Sequence, residues 1–599
     1  MRACCRLWPF VLCLPVLCLP VAAQAPKPAP VALADHGRSD FAIVVADDAA
    51  PPVRYAAEEL QRWLAEITGA SLPIASDAKP APPHALLVGS SKATTALGLG
   101  ERLAPLREEQ YLLHRDGERL VIAGGGARGT LYGVYGLLQD HFGCRWFTAQ
   151  VARIPHRERL ELPDVDESRA PAFEYRDVLV RECHDADWAA RNRVTSTQAG
   201  LDARHGGGIV YVGFVHTFAE LLPPAQHFAA HPEFYSLIDG KRTADNAQLC
   251  CTNDDVVRLV TDAVRQRLRA HPEAKVASVS QNDCFGQCQC AKCQALAAAE
   301  GSQMAPVLQL VDRVADAIAA EFPDRLIDTL AYQWTRHPPK TLRPRPNVIV
   351  RLCSIECCFR HPFDQCTLPA NRDFVADLRG WAKVCDRLWM WDYTTDFAHY
   401  LLPFPNLDAL APNVRLLAQN HVTGIFEEGD YSSPHGEFQA LRGWVLAQCL
   451  WNPATDGRTA RDEFLGGVYG AAAPPIARYL DALHARTVDA HVGIYQGADA
   501  PWLDAAWQRD ADAAFDEAEK LAGGDAALLA RVRAARLSVD YPGLERARIA
   551  GRGAAELRVR AERFFANAKA GGLTSVREGE SELGPFERAV RAALAAGAK

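Results

Sequence analysis

Short apolar segments alternate with helical patterns from Pro171 to Pro453, and this alternation restricts the fold more than any other feature of the chain. Each segment is too short for a helix and is followed by a polar loop, as buried parallel strands usually are. Eight segments are predicted as strands: Tyr175–Val180, Arg193–Thr197, Ile209–Phe214, Lys275–Ser280, Leu326–Tyr332, Asn347–Leu352, Arg387–Trp391 and Val422–Phe426. Eight parallel strands over about 280 residues match the length of a (β/α)8 TIM barrel.

The regions on either side of this predicted barrel domain, residues 170–455, have other patterns. Residues 31–165 predict a small α/β domain, in which Val53 to Ile67 places its apolar residues on one helical face. Residues 456–599 are rich in Ala, Arg and Glu, and they predict an α-helical C-terminal region. Breaks in these helices are predicted at Pro474-Pro475, Gly523-Gly524 and Pro542-Gly543.

The first 25 residues have the layout of a signal peptide. Arg2 and Arg6 precede an apolar run from Leu7 to Val21, which prolines interrupt and small residues follow. We therefore expect an exported protein, periplasmic or extracellular. Leu17 before Cys18 fits a lipoprotein site poorly. No later stretch is apolar over the length that a membrane span needs.

Cysteines are unusually grouped in the predicted mature chain. Fourteen remain after residue 25, and an oxidising compartment favours disulfides. Two groups stand out: Cys284, Cys288, Cys290 and Cys293, and Cys353, Cys357, Cys358 and Cys366. Thiolates at such spacings also bind zinc, so a structural zinc site stays as the alternative. We expect disulfides that hold two loops together, with no metal and no cofactor.

The overall charge argues against nucleic acid as a partner. The formal net charge is −8, and Lys and Arg are dispersed among Asp and Glu along the chain. A nucleic-acid-binding surface usually needs a basic cluster. The sequence leaves the oligomeric state open, a homodimer included.

Polar residues follow nearly every predicted strand, at the end of a barrel where active sites form. They are Arg181, Glu182, His216, Gln281, Asn282, Asp283, Tyr332, Trp334, Glu356, Asp392, Tyr393, Glu427 and Glu428. Several carboxylates beside Trp and Tyr suit glycosidic cleavage, which needs a proton donor and an ionised partner. Trp334, Trp391 and Trp188 are candidates to stack on sugar faces.

Other candidates also have a structural alternative. Arg181 and Arg351 could bind an acidic substituent such as a uronate carboxylate, or pair with neighbouring acids. His216 and His399 could contact substrate or satisfy local hydrogen bonds. Glu427 and Glu428 cannot both face the mouth of the barrel from one strand, because adjacent side chains alternate.

Three segments resemble those of a known family. Asn347 to Cys358, Ser280 to Asp283 and Leu388 to Tyr393 look like segments of the domain-of-unknown-function 4838 family, secreted proteins grouped with glycoside hydrolases. A more distant similarity is to family 67 alpha-glucuronidases, through Arg119 to Leu138 and Pro171 to Arg176.

The second resemblance implies roles for individual residues. The catalytic base pair of those glucuronidases falls at positions similar to Glu356 and Asp392, with Asp and Glu exchanged. Their general acid follows the fourth strand, where this chain departs from the pattern. Asp283 occupies the corresponding position at the end of the strand, whereas the Glu-Gly pair of their general-acid segment is found here at Glu300-Gly301. The proton donor is therefore either Asp283 or Glu300.

These observations lead to one functional hypothesis and two alternatives. We expect an inverting glycoside hydrolase that acts on a uronate-containing or branched glycan, an oligo- or polysaccharide. A non-catalytic carbohydrate-binding protein on the same scaffold is the first alternative, because a fold does not fix a function. A polysaccharide lyase, using a base with Tyr332 or Tyr393, is the second.

Overall fold

A computed structural model describes residues 30–596. The predicted signal peptide therefore lies outside the described residues. None of the helices described between residues 30 and 596 combines the length and the apolarity that a membrane crossing needs.

The N-terminal part is a six-stranded sheet with two long helices packed against it. Its elements are β1 Ala32–Asp35, β2 Ala42–Val45, α1 Pro51–Thr68, β3 Ile74–Ser76, β4 Ala85–Val88, α2 Lys92–Ala96, α3 Gly100–Leu103, β5 Tyr111–Asp116, β6 Arg119–Gly124, α4 Ala127–Gly136, β7 Arg145–Trp146, β8 Ala152–Arg153, β9 Arg159–Glu161 and β10 Asp166–Arg169. The strand order is β10-β5-β6-β4-β2-β3. The apolar face of α1 predicted from the sequence is buried, with Leu60, Leu64 and Ile67 at most 1% exposed.

The central part is built on a seven-stranded parallel sheet. Its elements are β11 Tyr175–Leu179, α5 Ala186–Arg191, β12 Tyr211–Val212, α6 Phe218–Leu221, α7 Pro224–His227, β13 Leu237–Ile238, β14 Lys241–Arg242, α8 Asp254–Ala270, β15 Val276–Ser278, α9 Ala291–Glu300, α10 Met304–Ala319, β16 Leu326–Ala331, β17 Val348–Cys353, α11 Pro369–Trp381, β18 Leu388–Tyr393, α12 Leu407–Gln419, β19 Val422–Glu428 and α13 Gln439–Trp451. The order β11-β19-β18-β17-β16-β15-β12 follows the chain, apart from β11 at one edge.

The sheet curls around a core of aromatic rings. Tyr175 on β11 and Tyr211 on β12 lie at opposite edges of the sheet, yet their ring centroids are 6.4 Å apart. The guanidinium of Arg351 on β17 lies between them, 5.7 Å from one ring and 5.5 Å from the other. The two edges therefore approach each other across the interior.

One predicted strand is wrong, and it is the one that would have joined these edges. Residues 193–197 form no strand in the structure. Thr195 still donates its N–H to the carbonyl of Arg176 on β11, but Arg193 adopts a left-handed backbone with φ of 60°. That conformation is incompatible with a strand. The sheet is consequently an open, curled sheet of seven strands in place of the predicted eight.

The C-terminal part is helical, as predicted. Its helices are α14 Gly457–Tyr469, α15 Ala473–Arg486, α16 Ala505–Ala522, α17 Ala526–Ala550, α18 Leu557–Gly571 and α19 Gly584–Ala596. The break predicted at Pro542-Gly543 is wrong, because both residues lie buried inside α17. Buried side chains of these helices share one continuous apolar core with the curled sheet, whereas the N-terminal part has a core of its own.

Candidate active site

A cavity of about 220 Å³ lies at the carboxyl ends of β15 to β19. Its lining comes from the strand ends, from the segment after α15 and from the segment between α18 and α19: Val215, His216, Asp283, Leu330, Tyr332, Cys353, Ile355, Trp391, Tyr393, Phe397, Glu428, Ile494, Tyr495 and Glu578. The cavity occupies the end of the parallel strands where barrel enzymes carry their active sites.

Three carboxylates line this cavity, and an aromatic side chain donates a hydrogen bond to each. The hydroxyl of Tyr332 donates to Asp283 Oδ1 at 3.2 Å. The indole N–H of Trp391 donates to Glu428 Oε2 at 2.8 Å. The hydroxyl of Tyr431 donates to Glu578 Oε1 at 2.9 Å. These bonds fix the orientation of three acids that come from distant parts of the chain.

Glu428 has an altered acidity. Burial, opposed by the hydrogen bond from Trp391 and assisted by the charge of Glu578, raises the pKa of its carboxyl to about 8. A carboxyl with this pKa is protonated at neutral pH. It can therefore give a proton to a substrate, which an ordinary glutamate cannot do efficiently.

His216 faces the cavity in a strained backbone conformation. Its φ is 56°, in a region that costs a residue other than glycine on the order of 1–3 kcal/mol. Its Nδ1 lies 2.8 Å from the carbonyl oxygen of Gln281. Because a carbonyl only accepts, Nδ1 carries the hydrogen, and Nε2 of the neutral ring is an acceptor.

Aromatic rings form much of the cavity wall. The rings of Trp391 and Tyr393 lie 6.3 Å apart at 27°, and the ring of Phe397 lies 6.0 Å from that of Tyr393. Tyr495 completes this wall and is 64% exposed. Rings arranged in this way suit the apolar faces of a sugar.

The structure brings together six of the residues predicted from the sequence. They are His216, Asp283, Tyr332, Trp391, Tyr393 and Glu428. The first three follow strands of the parallel sheet, Trp391 and Tyr393 lie two residues apart on β18, and Glu428 ends β19.

Asp392 does not line the cavity, and its catalytic role stays a prediction. Side chains alternate along β18, so Asp392 points away from the face that carries Trp391 and Tyr393. Its Oδ1 accepts hydrogen bonds from Ser354 at 2.7 Å and from the backbone of Tyr393 at 2.9 Å. Glu427, its register partner on β19, is directed outward in the same way.

Glu356 and Glu300 also lie outside the cavity. Glu356 Oε2 binds Arg336 Nη1 at 2.9 Å, in an ion-pair network that includes Asp377. Glu300 ends α9 and accepts hydrogen bonds from the backbone of Thr341 and Leu342. Both carboxylates make contacts within loops, and the catalytic roles predicted for them stay predictions.

The two arginines expected to bind an acidic substituent are not at the cavity. Arg351 is completely buried inside the curled sheet, where its Nη2 lies 3.0 Å from Asp328 Oδ2. Arg181 is exposed in the turn that follows β11. Among the described residues that line the cavity, none is Lys or Arg.

Three further predicted residues have structural contacts instead of cavity positions. Asn282 bonds to the backbone of Ala219 and Ala247. The indole of Trp334 donates to the carbonyl of Cys284 at 3.1 Å. His399 Nδ1 lies 2.8 Å from the hydroxyl of Tyr541 on α17.

Sequence reasoning missed the residues that the C-terminal part contributes. Glu578, Ile494 and Tyr495 line the cavity from segments between helices. The backbone N–H of Glu578 donates to the carbonyl of Phe397 at 2.9 Å, which anchors this segment beside β18. No local pattern marked these positions, because their contact depends on how the helices pack against the sheet.

The predicted disulfides are absent: none of the fourteen cysteines between residues 30 and 596 is joined to another. Six of these cysteines and two histidines form two clusters, in each of which one ligand atom per residue lies within 4.8 Å of the others. One cluster is Cys250, Cys288, Cys290 and Cys293, and the other is Cys358, His361, Cys366 and His491. The side chains gather in fours and not in bonded pairs.

Comparisons with known proteins place the chain in a family. The model described as "Domain of unknown function (DUF4838)" matches residues 146–481, and "Glycosyl hydrolase family 67 N-terminus" matches residues 31–137. No curated protein matches the sequence. Among solved structures, a GH138 enzyme targeting pectin rhamnogalacturonan II is similar with a TM-score of 0.42 and 10% identity, over 89% of this chain and 71% of that one. CpGH84D is similar with a TM-score of 0.45 and 10% identity, over 92% and 96% of the two chains. The first match spans more than half of the sequence, and the chain therefore belongs to the DUF4838 family.

Proposed function

We propose that this protein is a glycoside hydrolase in which Glu428 is the general acid and Asp283 the partner carboxylate. The observation that carries the proposal is the cavity at the strand ends, with three oriented carboxylates and an aromatic wall. The similarity of residues 31–137 to a glycosyl hydrolase N-terminus supports it.

The two carboxylates have different tasks in this scheme. Glu428, with its pKa raised to about 8 by burial, protonates the glycosidic oxygen as the bond to the anomeric carbon breaks. Asp283, oriented by the hydroxyl of Tyr332, activates a water or attacks the anomeric carbon. This assignment moves the proton donor from Asp283 or Glu300 to Glu428. The nearby Glu578 carboxylate raises the pKa of Glu428 and so favours its protonated form.

The lining also bears on the substrate. Asp283 and Glu578 face the cavity beside the protonated Glu428, and no Arg or Lys is among the described residues that line it, so a uronate carboxylate there would meet like charge. We therefore propose a neutral or amino sugar in the cavity, in place of the uronate that the resemblance implied. A cavity of about 220 Å³ suits one ring at a chain end or branch better than a bound polysaccharide.

The first test compares two adjacent glutamates. We expect Glu428→Gln to lower the hydrolysis rate by about 10²–10⁴-fold, the usual contribution of general acid catalysis. Glu427→Gln is the matched control, because that side chain points away from the cavity, and it should keep the wild-type rate. The assay is release of sugar from a panel of neutral, amino and uronic acid glycosides. Equal rates for the two variants would contradict the assignment.

The pH profile adds a second readout. The wild-type rate should fall as the pH rises through about 8, because the acid form of Glu428 is lost there. Glu428→Gln should lack this fall in its residual rate. Inversion and export both remain predictions. The anomer of the first product, followed by NMR, tests inversion.

The alternatives give different results in the same panel. A carbohydrate-binding protein would bind a sugar that Glu428→Gln also binds, with no hydrolysis by either protein. A lyase would release an unsaturated uronic acid product. The acidic lining disfavours the lyase, because its substrate must carry a uronate.

A further inference from the structure

The four sulfurs of Cys250, Cys288, Cys290 and Cys293 have the geometry of a tetrathiolate. Cys250 precedes α8, Cys288 lies in the loop after β15, Cys290 immediately precedes α9, and Cys293 lies in the first turn of α9. The Sγ atoms of Cys250 and Cys290 are 3.6 Å apart. Zinc–sulfur bonds of about 2.3 Å place the corners of a tetrahedron roughly 3.8 Å apart, whereas a disulfide requires about 2.05 Å.

Hydrogen-bond donors surround these sulfurs as they surround metal-bound thiolates. The backbone N–H of Leu237 donates to Cys288 Sγ at 3.4 Å, and Arg242 Nη1 lies 3.7 Å from the same atom. The hydroxyl of Thr252 lies 3.2 Å from Cys293 Sγ. Outer contacts of this kind orient ligands and stabilise their negative charge.

The cluster replaces an apolar core in this part of the chain. Cys250, Cys288 and Cys293 form a small buried group with only Leu237 and Cys290 packed against it. A segment that buries so few apolar side chains needs a covalent or metal staple to stay folded. Four protein ligands leave no open position, which is typical of structural zinc.

We propose that Cys250, Cys288, Cys290 and Cys293 bind a structural zinc ion. The ion fixes the loop from Asp283 to Cys290 against the segment before α8. Gly286 shows how closely the two pack, since a Cβ on it would lie 2.1 Å from the carbonyl oxygen of Asn246. Zinc here would thus hold Asp283 at the cavity, although the site does not depend on the proposed hydrolase function.

A second cluster carries a second zinc proposal on separate evidence. Cys358 Sγ lies 3.5 Å from His361 Nδ1, and Cys366 Sγ lies 3.5 Å from His491 Nδ1. His361 Nε2 is 2.8 Å from the carbonyl oxygen of Val488, which only accepts. Nε2 therefore carries the hydrogen and leaves Nδ1 unprotonated in the neutral ring, as a metal ligand must be.

This Cys2His2 site would join two parts of the molecule. Cys358, His361 and Cys366 lie in the loop between β17 and α11, whereas His491 lies after α15. The segment that carries His491 continues to Ile494 and Tyr495, which line the cavity. The second zinc fastens the C-terminal wall of the cavity to the sheet.

The test is metal content of the purified full-length protein, measured by elemental analysis and native mass spectrometry. We expect two zinc ions per wild-type chain and one in each of the variants Cys290→Ser and His491→Ala. His491 is exposed, so its replacement should leave the fold intact. Cys284→Ser and Cys357→Ser, which alter neighbouring cysteines outside the clusters, should each retain both ions.

Cobalt substitution distinguishes the two sites. Sulfur-to-cobalt charge-transfer absorption should fall more in Cys290→Ser than in His491→Ala. The first variant empties a site with four thiolate ligands, whereas the second empties a site with two. A wild-type protein free of zinc, or one whose cluster cysteines are joined as disulfides by mass mapping, overturns both proposals. The first site is overturned if Cys284→Ser loses a zinc ion and Cys290→Ser keeps both. The second site is overturned if Cys357→Ser loses a zinc ion and His491→Ala keeps both.

Discussion

At the scale of single residues, alternation along two adjacent strands decides which acids can act in the cavity. Trp391 and Tyr393 face inward on β18, and Asp392 between them faces outward. Glu428 faces inward on β19, and Glu427 faces outward beside Asp392. Burial raises the pKa of Asp392 to about 6. Burial also raises the pKa of Glu427 well above its ordinary value, and the charge of Asp392 raises it in the same direction.

This outward pair should make the fold less stable at high pH. Above about pH 4–4.5 the unfolded chain has released these two protons, whereas the folded state still holds them. The contribution of this pair to the free energy of unfolding is therefore largest below that range and falls as the pH rises. Both carboxyl oxygens of Glu427 are buried without a hydrogen-bond partner. We expect Glu427→Gln to stabilise the protein at pH 8 by about 1–3 kcal/mol and much less at pH 4. Urea unfolding at the two pH values measures this, and a gain independent of pH would argue against raised pKa values in this pair.

At the scale of elements, the segment between α15 and α16 supplies one wall of the cavity. Ile494 and Tyr495 lie on it, and the backbone N–H of Phe397 donates to the carbonyl of Ile494 at 2.9 Å. The backbone of this segment is therefore fixed to the region after β18. The ring of Tyr495 itself is mostly exposed, as expected of a side chain that contacts ligand more than core.

Removing this ring should weaken sugar binding and leave the fold unchanged. An aromatic contact contributes about 0.5–1.5 kcal/mol, so Tyr495→Ala should raise KM by roughly two- to tenfold at unchanged kcat. Val488→Ala, at an exposed apolar residue of the same segment, is the control and should alter neither constant. An unchanged KM in the Tyr495 variant would show that substrate does not contact this wall.

At the scale of the whole molecule, the curled sheet and the C-terminal helices are one folding unit. Phe438, which precedes α13, packs its ring 6.4 Å from that of Tyr469 on α14 and 6.3 Å from that of Tyr479 on α15. Glu578 reaches the cavity from the segment between α18 and α19. The helices therefore complete both the core and the site.

A chain that ends at residue 456 should consequently fail to fold. It would expose the apolar face that α14 to α19 cover, and exposed apolar surface of that extent promotes aggregation. We expect no cooperative thermal transition by circular dichroism and aggregates on size-exclusion chromatography. A soluble monomer with a sharp transition would show that the helices are an independent domain.

Much of the architecture followed from the sequence, because local periodicity reflects backbone geometry. Seven of the eight predicted strands, the amphipathic helix α1 and the helical C-terminal part are present. The strand at residues 193–197 and the helix break at Pro542-Gly543 were wrong, because tertiary contacts overrode the local signal. The DUF4838 family was also recognisable from short segments.

By itself, the sequence determined which acids and aromatic residues end the strands, since strand periodicity and loop positions are local properties. Only the tertiary structure decided which of those side chains meet. Asp283, Glu428 and Glu578 share a cavity, while Glu356 and Asp392 do not, because curling of the sheet and docking of the helices set the distance between residues far apart in the chain. The same packing gathered cysteines and histidines into groups of four, an arrangement that spacing along the chain could not reveal.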